Sequence, residues 1–215
     1  MREGITLENI ILIGDSGHAK VIEDCIHSQG GKIIAKLDDR YEDKQFDNEI
    51  IKGPIDLIEE LLTEEVKVVI SIGSNRNRKR MMERLAISQD KYATVVHKRA
   101  IVCKSAKIGN GTVLMPGAVV NDDASIGKHA IINSNCVVEH DCMIEDFAHI
   151  SPGAILTGSV KVGEGSHVGA GATIIPGIEI GSWTTIGAGG SVVSNIESNV
   201  TAVGVPSKII KREGE

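Results

Sequence analysis

An aliphatic residue returns every six positions from Val102 to Val192, and this repeat constrains the fold more than any other feature of the sequence. The repeating residues are Val102, Ile108, Leu114, Val120, Ile126, Ile132, Val138, Ile144, Ile150, Leu156, Val162, Val168, Ile174, Ile180, Ile186 and Val192. A period of six fits neither an α-helix nor simple strand alternation, and it is typical of a parallel β-helix. The sequence therefore predicts one short strand and one turn per hexapeptide.

Two further positions of the hexapeptide follow a pattern. Four residues after each aliphatic residue the side chain is mostly small, which suits a corner crowded by neighbouring coils; examples are Thr112, Ala118, Ala124, Ala130, Cys136, Cys142, Ala148, Ala154 and Ser166. One residue after it the chain often has Gly or Asn, which we expect to lie where the backbone bends; examples are Gly109, Asn121, Gly127, Asn133, Gly163, Gly169, Gly181 and Gly187.

Composition excludes several classes of protein. The 215 residues carry a formal net charge of −6, so the chain lacks the basic character of a nucleic-acid binder. Aromatic residues make up 2% of the chain, which favours a solenoid filled with Val, Ile and Ala over an ordinary globular core. No apolar run reaches membrane-spanning length, and residues 1–9 carry acidic groups where a signal peptide would be basic and then apolar. We therefore expect a cytoplasmic protein that has no membrane partner.

The cysteines agree with a reducing compartment. Cys136 and Cys142 occupy the small corner position, Cys25 lies in a stretch with helical spacing, and Cys103 follows the first aliphatic residue of the repeat. We expect each of them to be a packed, reduced thiol.

Residues 1–97 have a different pattern, so we place a domain boundary between residues 97 and 98. Short apolar runs alternate with helical spacing: a strand at 9–13, a helix at 18–28, a strand at 32–37, a helix at 55–62, a strand at 66–72, a helix at 76–87 and a last strand at 94–96. Such βα units form a parallel sheet whose ligands bind beyond the carboxyl ends of the strands. The predicted fold is thus α/β plus β, with a small Rossmann-like domain at 1–97 and a β-helix and C-terminal tail at 98–215.

The loop from Gly14 to Ala19 resembles part of a dinucleotide fingerprint, but Leu12 occupies the place of the first glycine. Asp15 within the loop would also repel a pyrophosphate. A plain strand-to-helix turn with a solvated His18 is the alternative interpretation of these residues.

Taken together, these motifs resemble a known family. They are a G-x-x-G-H-A loop, a strand ending in Asp38-Asp39, the segment Ile72-Gly73-Ser74-Asn75, and a hexapeptide region containing Val-Glu-His-Asp-Cys and Asp-Phe-Ala-His-Ile-Ser-Pro-Gly-Ala. The combination is similar to the sugar O- and N-acyltransferase family, which includes nucleotide-sugar N-acetyltransferases of the bacillosamine and perosamine type and sialic acid O-acetyltransferases. The resemblance extends through residues 203–208, and it implies a left-handed helix with three hexapeptides per triangular coil.

The resemblance also implies roles for individual residues. His140 matches the catalytic base, and Asp141 matches the acidic residue that raises its basicity, although Glu is frequent at that place in the family. The resemblance implies that acetyl-CoA is the acetyl donor and that the reaction needs no metal. The residues that match acetyl-CoA contacts are His149, Ala170 and Ala188. Contacts to a nucleotide-sugar acceptor fall on Ser16, Gly17, His18, Asp38, Asp39 and Gly73. The family also implies a homotrimer with the acetyl-CoA cleft between adjacent helices.

The chemistry of acetyl transfer fits these residue types. A base of near-neutral pKa must take a proton from the attacking group, and a carboxylate on the other ring nitrogen fixes the tautomer. Either Asp141 or Glu139 can supply that carboxylate, and backbone N–H groups or His149 can meet the oxyanion. His149 and His167 are eighteen positions apart, so we expect them to stack on one face of the helix.

We therefore expect an acetyltransferase that acts on the amino group of a nucleotide-linked amino sugar of the UDP-4-amino-sugar type, in surface glycan biosynthesis. O-acetylation of sialic acid or another sugar is the alternative within the family. Two other classes stay open: a metal hydro-lyase like the gamma-type carbonic anhydrases, whose His-x4-His pair is absent from this sequence, and a binding module without catalysis.

Overall fold

The computed structural model describes residues 9–212. Residues 1–8 lie outside the described residues. The expectation that the N-terminus is not a signal peptide concerns mostly these residues. The N-terminal elements are β1 (Asn9–Ile13), α1 (Gly17–Ser28), β2 (Lys32–Leu37), β3 (Gln45–Asp47), β4 (Ile50–Gly53), a 3-10 turn (Ile55–Leu57) that continues into α2 (Ile58–Leu61), β5 (Val66–Ile70), α3 (Asn75–Leu85) and a 3-10 turn (Gln89–Lys91).

These strands form one sheet in the order β3-β4-β2-β1-β5. Its four longer strands pair in parallel, and β3 pairs antiparallel with β4 at the edge. The buried residues of β1, Ile10 to Ile13, pack on both sides of the sheet. The predicted βα pattern is therefore present, with a shorter helix after β4 and with β3 and β4 in addition to the predicted strands. The carboxyl ends of β1, β2 and β5 lie side by side, which brings the loops that follow them together.

The remaining strands are short and follow one another every six residues. In chain order they are β6 (Val95–Val96), β7 (Ile101–Val102), β8 (Lys107–Ile108), β9 (Val113–Leu114), β10 (Val119–Val120), β11 (Ser125–Ile126), β12 (Ile131–Ile132), β13 (Val137–Val138), β14 (Met143–Ile144), β15 (His149–Ile150), β16 (Ile155–Leu156), β17 (Lys161–Val162), β18 (His167–Val168), β19 (Thr173–Ile174), β20 (Glu179–Ile180), β21 (Thr185–Ile186) and β22 (Ser191–Val192). Two longer strands, β23 (Val200–Gly204) and β24 (Ser207–Arg212), complete the described chain.

Every short strand pairs in parallel with the strand eighteen residues away, as His149 pairs with His167. The strands thereby form three sheets, which we call the first face (β6, β9, β12, β15, β18, β21), the second face (β7 and every third strand to β22) and the third face (β8 and every third strand to β20). This is a left-handed parallel β-helix with three hexapeptides per coil, as predicted. The repeating aliphatic residues point inward, and together with the small corner residues they form one continuous core.

The turn chemistry differs from the prediction. The backbone adopts a left-handed conformation three residues after the aliphatic residue, as at Asp141 (φ 60°) and Phe147 (φ 60°), and not one residue after it. The glycine that comes one residue after, as at Gly127, is required for a different reason. A Cβ there would lie 2.6 Å from the Asp146 amide nitrogen of the next coil. Close coil stacking, and not backbone bending, therefore explains these glycines.

The prediction of a last N-terminal strand at 94–96 was also wrong in its placement. Residues Val95–Val96 pair with Val113–Leu114 and form the first strand of the β-helix. Val95 packs against residues of α1 and β1, whereas Val96 packs against the helix core. The β-helix therefore begins where the N-terminal domain ends, and the β-helix and this domain pack against each other through buried residues.

The far end of the β-helix is closed by an antiparallel hairpin of β23 and β24, in which β23 continues the first face beside β21. All four cysteines are free, and Cys25, Cys136 and Cys142 are buried, as expected for packed thiols. Among residues 9–212 no helix is both long enough and apolar enough to cross a membrane.

Candidate active site

His140 lies in the turn between β13 and β14, at the corner where the second face meets the third. Its Nδ1 is 2.8 Å from Oδ2 of Asp141, and both side chains are more than half exposed. The ring also lies against Gly158 of the next coil, where a Cβ would come within 2.7 Å of Nε2. Because its partner is a carboxylate oxygen, Nδ1–H donates to Asp141 and Nε2 is left as the basic nitrogen.

The electrostatics of this corner favour a base. The hydrogen bond to Asp141 raises the pKa of His140, and the negative charges of Asp141 and Glu139 act in the same direction. Of the two carboxylates considered from the sequence, Asp141 is the one bonded to the ring.

His149 and His167 begin neighbouring strands of the first face, and their rings stack with centroids 4.8 Å apart, as predicted. The His18 ring of the N-terminal domain lies 6.4 Å from that of His149. His167 Nε2 is 2.7 Å from the Ser151 hydroxyl. Three histidines from both domains therefore form one cluster.

The tautomer of His149 follows from its neighbours. The Asn133 side-chain oxygen accepts the Ser134 amide at 2.8 Å, so its nitrogen donates to His149 Nε2 at 3.0 Å. In the neutral ring the proton is therefore on Nδ1. Burial, and then the nearby His167 and Arg78, lower the pKa of His149 to about 3. His149 is thus a neutral ring at neutral pH whose Nε2 already accepts a hydrogen bond, and it is unsuited to serve as a base.

Ala170 and Ala188 lie at another corner, between the first and second faces. Both are exposed, and they follow β18 and β21 respectively. The Gly189 amide donates to the Ala170 carbonyl at 2.8 Å, which stacks the two turns directly. Small side chains leave the backbone of this corner open to a ligand.

Ser16, Gly17, His18 and Gly73 lie at the carboxyl ends of β1 and β5. Ser16 is the N-cap of α1, and it and Gly17 are exposed, so the first amides of the helix face outward. Gly73 lies beside His18: a Cβ added to the glycine would be 3.7 Å from Cγ of the His18 ring. Burial, and then the charge of Arg78, lower the pKa of His18 to about 4. Its Nε2 is buried and has no hydrogen-bond partner among the described residues.

Asp38 and Asp39 follow β2, but both already have protein partners. Asp38 accepts from the Asp15 amide at 2.8 Å and from the Arg40 amide at 3.0 Å. Although burial opposes its ionisation, these bonds and the Arg40 side chain hold the pKa of Asp38 below its ordinary value. Asp39 receives two bonds from Arg84, at 2.7 and 2.8 Å. Both aspartates therefore order the loops at this edge of the sheet.

The structure also accounts for the acidic Asp15. Its carboxylate accepts from the Tyr41 hydroxyl at 2.6 Å and lies 3.9 Å from the ammonium groups of Lys36 and Lys52. Two cations and a hydroxyl offset its charge, so the repulsion expected from the sequence is reduced. Asp15 acts as a link between the loop after β1 and the loop after β2.

Within one chain these residues are not brought to a single place. His18, Gly73 and His149 line or adjoin a groove of about 380 Å³ between the N-terminal domain and the first face, which also contains Trp183. Ala170 and Ala188 lie at the next corner, and His140 at the corner after that.

One residue that sequence analysis missed connects these parts. Arg78 is 1% exposed and lies between the Gly73 loop and the β-helix, where it donates to carbonyls on both sides. No sequence pattern distinguishes Arg78, because it lies in a run of similar polar and basic residues, Asn75 to Arg80. In the described part of the chain, no group of three or more His, Cys, Asp or Glu side chains is arranged to hold a metal ion.

An exposed His–Asp pair on a hexapeptide β-helix, joined to a small α/β domain, defines an acyltransferase architecture. Residues 9–85 match the family described as PglD N-terminal domain, and residues 105–140 and 123–158 match the bacterial transferase hexapeptide family. The chain is 44% identical over 112 residues to UDP-N-acetylbacillosamine N-acetyltransferase of Bacillus subtilis (strain 168), an alignment that covers 51% of this chain and 52% of that protein. The chain thus spans about half the length of this curated relative.

Solved structures match over nearly the whole chain. PerB from Caulobacter crescentus, in complex with CoA and GDP-perosamine, is 33% identical with a TM-score of 0.87, covering 95% of this chain and 98% of that one. The acetyltransferase domain of PglB from Neisseria gonorrhoeae FA1090, in complex with acetyl coenzyme A, is 33% identical with a TM-score of 0.84, covering 94% and 99%. The chain belongs to the hexapeptide-repeat sugar O- and N-acyltransferase family.

Proposed function

We propose that this protein transfers the acetyl group of acetyl-CoA to the amino group of a nucleotide-linked amino sugar, with His140 as the general base. The observation that carries the proposal is the His140–Asp141 pair. It combines a free Nε2, a carboxylate on Nδ1 and a raised pKa, in a chain whose relatives include N-acetyltransferases that bind CoA and an amino sugar.

The proposed reaction needs one proton acceptor and one stabiliser of negative charge. His140 Nε2 takes the proton from the amine as its nitrogen attacks the thioester carbonyl, and Asp141 stabilises the imidazolium that forms. The carbonyl oxygen gains negative charge and is met by backbone N–H groups, because His149 Nε2 already accepts from Asn133 and has no proton to donate. Collapse of this intermediate expels the CoA thiolate, which receives the proton from His140.

We propose a division of labour between segments 1–97 and 98–215. The first holds the nucleotide-sugar through Ser16, Gly17, His18, Gly73 and the loops ordered by Asp38 and Asp39. The second holds acetyl-CoA through His149, Ala170 and Ala188. The positions of most of these groups support the division: Ser16, Gly17, His18 and Gly73 lie at the sheet edge, and Ala170 and Ala188 lie at a corner of the β-helix. His149 lies beside the groove that His18 and Gly73 adjoin, where donor and acceptor would meet.

A complete site then needs more than one chain. His140 and the Ala170–Ala188 corner lie on different edges of the same prism, so a cleft between two prisms brings one chain's base to the neighbouring chain's donor site. We propose a homotrimer, since each prism then contributes both edges to equivalent clefts. We also propose that it works in the cytoplasm, where acetyl-CoA and nucleotide sugars are available.

The acceptor is tested by thiol release from acetyl-CoA with UDP-, GDP- and CMP-linked sugars, each as a matched pair that carries an amine or a hydroxyl at the reacting carbon. We expect release with the amino sugars, the UDP-4-amino sugar foremost. Preference for hydroxyl acceptors would replace the proposal with O-acetylation, and binding of acetyl-CoA without transfer to any sugar would indicate a binding module.

The shared site is tested by mixing inactive variants. His140→Ala and Ala188→Trp should each be inactive, because one lacks the base and the other fills the donor corner. When the two chains are assembled together, some clefts pair an intact His140 with an intact Ala188, so activity should return in part. Absence of any recovery from verified mixed assemblies, or a fully active monomer in sedimentation, contradicts the shared site.

A further inference from the structure

Arg78 uses its whole guanidinium group to join the two domains. From α3, Nη1 donates to the carbonyls of Ile72 at 3.0 Å and Gly73 at 3.1 Å. Nε donates to the His129 carbonyl at 2.8 Å, and Nη2 donates to the Phe147 carbonyl at 2.7 Å and to Asn75 Oδ1 at 3.0 Å. An arginine has five N–H donors, so every donor has an acceptor.

These acceptors are unusual for a buried cation. Among the described residues no carboxylate pairs with Arg78, and its partners are four backbone carbonyls and one amide oxygen. A buried charge is costly unless its bonds are complete. Such a residue tolerates little displacement of its acceptors, because losing one bond leaves a donor buried without a partner.

The carbonyls on the helix side belong to consecutive coils. His129 and Phe147 occupy equivalent turn positions eighteen residues apart, and Asn75 extends the row by donating to the Gly165 carbonyl at 2.9 Å. Phe147 precedes His149 by two residues. Arg78 and Asn75 therefore align α3 along the corner of the coils that carry the histidine cluster.

The carbonyls on the other side belong to the Gly73 loop. In a trans peptide the N–H points opposite to the carbonyl. With the Ile72 and Gly73 carbonyls turned toward Arg78, the amides of Gly73 and Ser74 are turned away from it. Both residues line the groove beside His149. Arg78 thus determines the orientation of a loop to which the nucleotide-sugar contacts are assigned.

We propose that Arg78 is the positioning residue that holds the acceptor-binding loop at Ile72–Gly73 in register with the helix coils that carry His149. This inference rests on the proposed acetyl transfer for its kinetic consequence. Its structural consequence, a loop fixed by the guanidinium, is independent of which acceptor is used.

Lysine cannot replace Arg78 in this role. A lysine keeps the charge but offers one ammonium in place of a planar fork with five donors, so it cannot reach carbonyls on both sides at once. Arg78→Lys should therefore raise the acceptor KM and lower kcat/KM for the acceptor about 10- to 100-fold, the usual effect of a misplaced reactant. The KM for acetyl-CoA should change less than that of the acceptor, because Ala170 and Ala188 lie at another corner of the β-helix and His149 alone of the proposed donor contacts lies beside the loop.

The matched control is Arg80→Lys on the same helix, since Arg80 is exposed. It should change neither KM. If Arg78 served only to stabilise the fold, Arg78→Lys would lower the melting temperature and leave both KM values at the parental level well below that temperature. That result would overturn the inference.

Amide hydrogen exchange separates this inference from the proposed function. In the protein without ligands, Arg78→Lys should speed exchange in the segment from residue 71 to 77 relative to Arg80→Lys, whether or not any sugar is acetylated. Unchanged exchange there overturns the inference, whereas faster exchange in a protein that acetylates no sugar removes only the proposed function. If Arg78→Lys fails to fold, Asn75→Ala provides the test. It should lower kcat/KM for the acceptor about two- to tenfold and speed amide hydrogen exchange in residues 71–77. Parental values for both quantities would refute the positioning role.

Discussion

Replacing Asp141 by Asn tests whether His140 is the base, because it changes charge and little else. Asn keeps an oxygen that accepts from Nδ1, and it tolerates the left-handed φ of 60° at this position, which Ala would strain. The hydrogen bond to the Asp141 carboxylate is the largest cause of the raised pKa of His140. Without that charge, His140 should lose its proton at a lower pH.

The sign of the effect follows from the role of the base. Only the unprotonated imidazole accepts a proton, so kcat/KM of the parent should rise with pH through a pKa above the ordinary value of about 6.5. In Asp141→Asn this rise should begin at lower pH, while the maximal rate falls because the imidazolium loses its stabilising charge. His140→Ala should lose the rise altogether and lower kcat about 10²- to 10⁴-fold, the usual contribution of a positioned base.

The assay is thiol release from acetyl-CoA across pH 5 to 9 with the best acceptor. His27→Ala is the control, since His27 is another exposed histidine beside a carboxylate, with Glu23 at 3.9 Å. His27 lies in the N-terminal domain, near the end of α1 opposite to His18. It should leave the profile unchanged. A His140→Ala protein that keeps the parental acid limb, or an Asp141→Asn protein whose limb does not move, would refute the assignment of His140 as base.

Three further predictions concern stability and the acceptor site. Burial lowers the pKa of His129 to about 4, so the unfolded state binds more protons than the folded state between pH 6.5 and 4. The free energy of unfolding should therefore fall by up to about 3 kcal/mol as pH drops through that window. In urea unfolding, His129→Asn should lose less stability than the parent over the same pH range. Gly127→Ala should cost about 1–3 kcal/mol by forcing neighbouring coils apart, whereas Gly17→Ala, with open space around it, should leave the melting temperature nearly unchanged. Asp38→Ala and Asp39→Ala should each raise the acceptor KM and leave that of acetyl-CoA nearly alone, and an unchanged acceptor KM would remove the N-terminal domain from acceptor binding.

The six-residue period predicted the β-helix because every hexapeptide has the same packing requirements. An aliphatic residue fills the interior of the prism and a small residue occupies the corner, so the pattern can be recognised in each hexapeptide. The period also extends back one step to Val96, six residues before Val102, and recognising this would have placed Val95–Val96 in the helix. The edge strands β3 and β4 have no comparable signal, because all of β3 is exposed and β4 has only four residues, of which three are partly buried.

The histidines show where sequence patterns stop being informative. His129, His149 and His167 recur on the repeat much as His140 does, and the sequence gives them the same side chain and the same ordinary pKa. Burial, acting first, and the charge of Arg78 lower the pKa of these three, whereas His140 stands in solvent beside Asp141 and its pKa is raised. The difference arises where the N-terminal domain packs against the β-helix: the three rings are buried there, near the charge of Arg78, whereas the corner that carries His140 is exposed. A base is therefore distinguished from structural histidines by long-range packing, and the measurement that reads this directly is the titration of each ring.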